Sequence, residues 1–206
     1  MVDISTVGVI GAGQMGAGIA QVASQAGYDV ILSDIDLPRA EKGRDGIARL
    51  LAKAVEKGKA EQADVDAALA RIRAVGDVAP LGQAQLVIEA ATEREEIKRA
   101  IFGNLGDLLH ADAILATTTS SLPVIEVAAV TGRPSDVVGL HFFNPAEAME
   151  LVEVVSTVST APDVTETARA LCLALGKYPV ACGDRAGFVV NALLFPYLNN
   201  AVRMLE

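Results

Sequence analysis

The sequence predicts an α/β protein built on a doubly wound, mostly parallel sheet. Three observations carry that expectation. Short apolar runs alternate with helical periodicity from the first residues, a glycine-rich turn joins the first strand to the first helix, and the composition is 51% hydrophobic but only 4% aromatic. A core made of Ala, Val, Leu and Ile suits parallel strands covered on both faces by helices.

Residues 6–10 read as a short buried strand, followed by the glycine-rich turn and a helix that stops at Gly27, a natural residue for a helix C-terminus. Residues 28–33 form a second strand that ends at Asp34. A long helix runs from Leu37 to about Lys57, with Ile47, Leu50, Leu51 and Ala54 at three- and four-residue spacing. A further helix is expected through Val65, Leu69 and Ile72. Residues 85–89, 113–116 and 137–141 read as strands, with helices over 93–109 and 123–130 between them. Repeated strand–helix alternation of this kind builds a parallel sheet with right-handed crossovers.

After His141 the pattern changes. Residues 137–143 are one apolar run and residues 149–155 the next, with Asn144 and Pro145 breaking the chain between them. If the two runs pair antiparallel, His141 and Glu153 lie opposite one another. A carboxylate beside an imidazole orients the ring and fixes its tautomer, which prepares a general acid/base. Spacing alone also allows a plain hairpin with a surface His–Glu pair. Residues 162–175 form one more helix, closed by Gly176, and residues 179–182 one more strand. Residues 183–187 read as a hinge, and residues 188–205 as a helix too apolar to stand uncovered. The expected division is therefore a first domain over 1–184 and the start of a second domain, or a partner-covered helix, from 187 to 206.

Composition excludes several classes. A net charge of −9 argues against a nucleic-acid partner, which would need a basic face. Apolar runs are too short to cross a bilayer, so no membrane role is expected. The N-terminus lacks a basic region and enters a strand at once, so no signal peptide is expected. Cys172 and Cys182 sit in apolar segments without metal-ligand spacing. They read as buried reduced thiols in a cytoplasmic protein, and no metal is expected.

The chemistry begins at Gly11-Ala12-Gly13-Gln14-Met15-Gly16, between a strand and a helix. Gly11 permits the tight turn, Gly13 lets backbone approach a pyrophosphate, and Gly16 lets the helix pack against the sheet. The helix N-terminus then offers unpaired N–H groups to the phosphates. Asp34 follows Gly16 by 18 residues, where a carboxylate can take the ribose hydroxyls of an adenosine and repel a 2′-phosphate. This Rossmann-type arrangement favours NAD over NADP, although the fingerprint alone would also serve FAD. Glu93 and Lys98 follow the strand at 85–89 and would reach a ligand beyond the strand ends. Read without that context, they are a helix-start acid and a solvated lysine. The loop Thr117-Thr118-Thr119-Ser120-Ser121 could cap the next helix or donate to a substrate carbonyl.

Together these motifs resemble the 3-hydroxyacyl-CoA dehydrogenase family, and in particular its short-chain, 3-hydroxybutyryl-CoA type. The resemblance rests on GxGxMGxGIA, an acid after the second strand, VIEA with a following Glu and Lys, Thr-Ser-Ser-Leu, GLHFFNP, LVEVV, and GFVVN, and it spans essentially the whole sequence. It implies an NAD-binding domain followed by an all-helical domain that mediates homodimerisation, with acyl-CoA as substrate. It implies that His141 is the acid/base and Glu153 its partner, that Ser120 and Asn191 contact the reacting oxygens, and that Asn144 positions nicotinamide and substrate. Gly11 through Gly16, Asp34, Glu93, Lys98 and Ser120 would hold the cofactor, and the Lys53/Lys57 face of the long helix would meet CoA. The sequence departs from the family pattern at Thr118, at Ala186 and Ala192, and at Glu147, which would put a carboxylate in the turn beside the His–Glu pair. It also carries only the first helix of the helical domain. A related dehydrogenase acting on a sugar acid or a carnitine-like alcohol shares the architecture, and a bare nucleotide-binding module is the non-enzymatic alternative. The aromatic pair Phe142-Phe143 favours the acyl-CoA reading.

Overall fold

The computed structural model describes residues 2–205; Met1, part of the N-terminus weighed for a signal peptide, and Glu206, the last residue of the expected second domain, lie outside the described residues. Eight strands form one sheet: β1 (Thr6–Ile10), β2 (Asp29–Ser33), β3 (Ile72–Val75), β4 (Leu86–Glu89), β5 (Ile114–Thr117), β6 (Val137–Phe142), β7 (Leu151–Ser156) and β8 (Tyr178–Gly183). Their spatial order is β3-β2-β1-β4-β5-β6-β7-β8, parallel through β6, after which β7 runs antiparallel to β6 and β8 parallel to β7. The helices are α1 (Gln14–Gln25), α2 (Leu37–Glu56), α3 (Gln62–Ala70), α4 (Glu95–Leu108), α5 (Val124–Ala128), α6 (Pro162–Ala174) and α7 (Val190–Arg203).

Both faces of the sheet are covered, which is why its strands read as unbroken apolar runs rather than alternating ones. One face packs Val9, Leu32, Ile88 and Leu140 against Ile19 of α1, Ile47 and Leu51 of α2 and Leu171 of α6. The other packs Ile10, Val87, Leu115 and Val155 against Phe102 and Leu105 of α4 and Val124 and Val127 of α5. The doubly wound expectation therefore holds. It fails at one edge: Ile72 does not continue the third helix but opens β3, which pairs parallel with β2 through Val30↔Ile72. Four residues at a sheet edge, with only Ile72 buried, leave too short an apolar pattern to separate strand from helix.

Strand order places the crevice. β1 is flanked by β2 on one side and β4 on the other, so chain connections leave in opposite directions at the β1/β4 boundary and open a ligand-sized gap beyond the carboxyl ends. The hairpin pairing is also as expected, with His141↔Glu153 in direct register. Its turn carries a cis Asn144–Pro145 bond and is tied down by Lys177, whose ammonium donates to the carbonyls of Ala146 at 2.7 Å and Met149 at 2.9 Å. Burial lowers the Lys177 pKa against the opposing pull of Glu147 and Glu150. Helix α7 contributes no buried residue, and Leu193, Phe195 and Tyr197 are exposed along it. No helix among the described residues is long and apolar enough to cross a membrane.

Both cysteines are free thiols. Burial pushes Cys172 up to about 12, and burial with the charges of Glu153 and Asp184 pushes Cys182 up to about 11. The unfolded chain releases both protons near the ordinary value of 9.0 while the folded chain keeps them, so stability falls as pH rises from about 9 toward 11. Urea titrations at pH 8 and pH 10 should show a lower midpoint at pH 10. The double Cys→Ser variant should lose part of that difference.

Candidate active site

The glycine-rich turn is built by close backbone approach. Gly11 has φ +92°, its N–H donates to the Ser33 carbonyl at 2.8 Å, and a Cβ there would stand 2.6 Å from the Ala90 oxygen. A Cβ on Gly16 would fall 1.7 Å from the Gly11 oxygen, so α1 can return onto the turn only with glycine at that position. At Gly13 a Cβ would meet nothing within 4 Å, because the position faces open space where a phosphate can approach the backbone. Gly13 also caps α1 without a side-chain hydrogen bond, leaving the first amides of the helix for an anion. Asp34 closes the lip of the turn: Oδ2 accepts from the Ala12 N–H at 2.7 Å and Oδ1 from the Ile35 N–H at 2.8 Å.

A groove of about 830 Å³ runs from this turn between α1 and α2. Ala12, Gly13, Gln14 and Asp34 line one end, and Arg39, Lys42, Arg49 and Lys53 line the α2 wall. The volume lies within the ordinary range for cofactor and ligand sites. Of the two lysines expected to meet CoA, Lys53 borders the groove. Lys57 does not: α2 ends at Glu56, and Lys57 sits exposed past its last turn. Sequence reading missed Arg39, Lys42 and Arg49, although 42, 49 and 53 recur at the seven- and four-residue spacing of one helix face.

Gln14 also belongs to a second cavity, of about 430 Å³, at the ends of β4, β5 and β6. Met15, Glu93, Lys98, Ser120, His141, Asn144 and Asn191 all line it. Residues spread over more than 170 positions of sequence thus meet in one space. His141 is buried, with Nδ1 2.6 Å from Glu153 Oε2. An ionised carboxylate can only accept, so Nδ1 carries the proton of the neutral ring and Nε2 is left to exchange one with a ligand. Phe143 and Phe188 wedge the ring, with centroids at 4.6 Å and 5.4 Å. The other Glu153 oxygen accepts from the N–H groups of Val189 and Val190, each at 2.9 Å, at the start of α7.

Glu93 faces the cavity, but its two oxygens are already engaged. Oε2 accepts from the Thr119 hydroxyl at 2.8 Å and Oε1 from the Ser120 N–H at 2.9 Å. It holds the loop that carries Ser120. Thr119 Oγ1 in turn takes the Leu122 N–H at 3.0 Å, whereas the first amides of α5 go to Asp184. The loop therefore braces itself, and the cap expected from its hydroxyls is supplied by Asp184. Thr118 keeps its place through a backbone hydrogen bond to the Glu89 carbonyl, 3.0 Å, which needs no amide side chain.

The alternative reading of Lys98 falls, and the expected place of Glu147 is corrected. Lys98 is not a solvated lysine: it is 1% exposed, and its ammonium lies 2.5 Å from Glu89 Oε2 and 3.3 Å from Thr117 Oγ1. Glu89 is fully buried and also accepts from the Ala91 N–H, so the pair fixes the backbone just below the cavity. Only the meeting of β4, β5 and α4 brings the three side chains together; sequence reading missed Glu89 and placed Thr117 only in the hydroxyl loop. Glu147 does not stand beside His141. It lines the α1/α2 groove instead, against Gly18, because the turn swings its side chain over α1.

A parallel sheet with this turn at its switch point, an acid ending β2, and a His–Glu pair beside the crevice define the dinucleotide-binding domain of a dehydrogenase. The chain belongs to the 3-hydroxyacyl-CoA dehydrogenase family: residues 6–185 match the model described as 3-hydroxyacyl-CoA dehydrogenase, NAD binding domain. The 3-hydroxybutyryl-CoA dehydrogenase of Mycobacterium tuberculosis is 46% identical over 98% of this chain and 72% of its own length. The 3-hydroxyadipyl-CoA dehydrogenase of Escherichia coli K12 is 44% identical over the whole chain, which spans 43% of that relative. The crystal structure of (S)-3-hydroxybutyryl-CoA dehydrogenase from Ralstonia eutropha superposes with a TM-score of 0.97 at 38% identity, over 98% of this chain and 72% of that one. The cofactor of the family domain is NAD. The open face at Gly13, the free amides of α1 and the Asp34 carboxylate fit its phosphates and adenosine ribose.

Removing one member of a buried ion pair leaves the other uncompensated, a cost of about 3–5 kcal/mol. Lys98→Met should therefore lower unfolding stability by about that amount in a urea titration. The double variant Glu89→Gln/Lys98→Met should recover part of the loss. Equal instability of the two would show that the charges do not act as a pair.

Proposed function

We propose that the chain is the NAD-binding, proton-handling part of an enzyme that interconverts a short-chain 3-hydroxyacyl-CoA, such as 3-hydroxybutyryl-CoA, and the corresponding 3-ketoacyl-CoA. The observation that carries the reading is the 2.6 Å contact of His141 with Glu153 inside a cavity shared with Ser120 and Asn191 and contiguous with the glycine turn. Bound NAD supplies the acceptor for the hydride that leaves C3. Nε2 of His141 takes the proton of the 3-hydroxyl in the oxidative direction and returns it to the 3-keto oxygen in the reverse. Glu153 stabilises the imidazolium formed in each turnover, and the two α7 amides hold that carboxylate in place. Ser120 and Asn191 hydrogen-bond the reacting oxygens, and Asn144 orients the ring of the cofactor against C3. Lys53, with Arg49 beside it, offers charge for the CoA phosphates along the groove.

The same reading takes residues 1–184 as the catalytic NAD domain and 187–206 as the opening of a helical domain through which two copies pair, in the cytoplasm, without a membrane or nucleic-acid partner. Exposed Leu193, Phe195 and Tyr197 on α7 support that part, since they need cover.

General acid/base catalysis contributes about 10²–10⁴ in rate. His141→Gln should therefore lose at least about a hundredfold in kcat for NADH-dependent reduction of acetoacetyl-CoA, with NADH affinity within about twofold of the parent. Undiminished turnover would remove His141 from the reaction. Asp34→Ala should weaken NADH in fluorescence titrations while leaving the KM for acyl-CoA nearly unchanged. Parallel weakening of both would place the adenosine elsewhere.

A further inference from the structure

Residues 184–190 connect β8 to α7 and are fastened at both ends. The Asp184 carboxylate accepts the first two amides of α5, Val124 N–H at 3.0 Å and Ile125 N–H at 2.8 Å. At the other end the chain makes a tight turn with two successive residues at positive φ, Gly187 at 75° and Phe188 at 50°. Among the described residues Phe188 is the one non-glycine residue in that region. A side chain with a β-carbon disfavours this conformation, so other contacts must hold it. The Phe188 ring supplies one of them: it is buried among Val124, Val155 and their neighbours, beside His141. The other is the pair of hydrogen bonds that the turn aims at a single atom, Glu153 Oε1, from Val189 and Val190.

The terminal torsion of a glutamate is broad, so its own rotamer preference does not set the plane of the Glu153 carboxylate. Two amides on Oε1 do set it, and they leave Oε2 to His141 alone. The positive end of α7, a helix of 14 residues, adds to the hold on the anion. We propose that Phe188 is a positioning residue for the dyad. Its left-handed turn, anchored by the ring, presents the α7 amides that orient Glu153 and through it His141, so that the proton-handling geometry depends on how α7 is seated. This rests on the reading of His141 as the acid/base.

Two substitutions separate the backbone role from a role of the ring as a cavity wall. Phe188→Ala keeps the cost of positive φ and loses the anchor, so the turn relaxes. Phe188→Gly also loses the ring but accepts positive φ freely. The primary readout is the downfield imidazole N–H proton of His141 in proton NMR of the full chain with saturating NADH. The sequence has two histidines, and His110 is solvent-exposed, so its proton exchanges away. Unchanged NADH affinity certifies that each variant is folded. The expected result is a sharp resonance in Phe188→Gly, displaced only by the loss of the neighbouring ring, and a broadened or further displaced one in Phe188→Ala. Reduction of acetoacetyl-CoA should follow the same order, with kcat down on the order of tenfold in the alanine variant, a part of what the acid/base itself supplies, and KM little changed. Equal damage in both variants, an unaltered resonance in both, or a rise in KM alone would overturn the proposal. If the parent itself does not reduce acetoacetyl-CoA, the activity reading fails, and the NMR comparison still decides whether Phe188 positions the dyad.

Discussion

A single buried carboxylate, Glu153, joins the parts of this molecule that have to act together. It lies in the middle of β7, opposite His141 on β6, and is 1% exposed. A charge taken out of water needs compensation from every side. Here one oxygen finds the imidazole, and the other finds two backbone amides of the segment that leads into α7. The sheet, the histidine and the last helix are thereby tied to one ion. Losing any of the three leaves that ion partly unsatisfied.

The same economy recurs around the cavity. Glu89 holds Lys98, Thr117 and the Ala91 amide beneath the floor, and Glu93 holds the loop with Ser120. Asp184 holds the start of α5, and Asp34 holds the turn at Ala12. Counted with Glu153, five carboxylates accept backbone N–H groups in the loops and helix starts around the site. An ionised carboxylate accepting an amide makes a stronger bond than a neutral pair, and it suits loops that have no ladder of their own. The rigidity this gives is what a hydride transfer requires, because a misplacement of about 1 Å can cost about a hundredfold in rate.

Two charged surfaces meet in this protein of net charge −9. The interior cavity is organised by acids that are internally paired. The α2 wall of the outer groove carries Arg39, Lys42, Arg49 and Lys53 in the open. Glu147, from the hairpin turn, lines the same groove on the α1 side, against Gly18. Any anionic part of a ligand lying along α2 therefore meets a local field opposite in sign to that of the protein as a whole.

What the sequence determined by itself is local or periodic. Unbroken apolar runs announced the buried parallel strands, Gly11, Gly13 and Gly16 announced the cradle, and two runs placed about a centre at residue 147 announced the pairing of His141 with Glu153. These signals sit within a dozen or so residues, where chain geometry alone limits the outcome. Tertiary structure decided the rest. The edge strand at Ile72 exists because β2 offers it a partner. Lys98 is buried because Glu89 and Thr117, on two other strands, converge on it. Glu147 points away from His141 because the turn lies over α1, and Glu153 gains its two amide bonds from residues 36 and 37 positions further on. Each of these depends on which distant backbone approaches a given side chain, and that is settled by packing of the sheet and its helices rather than by any stretch of sequence read alone.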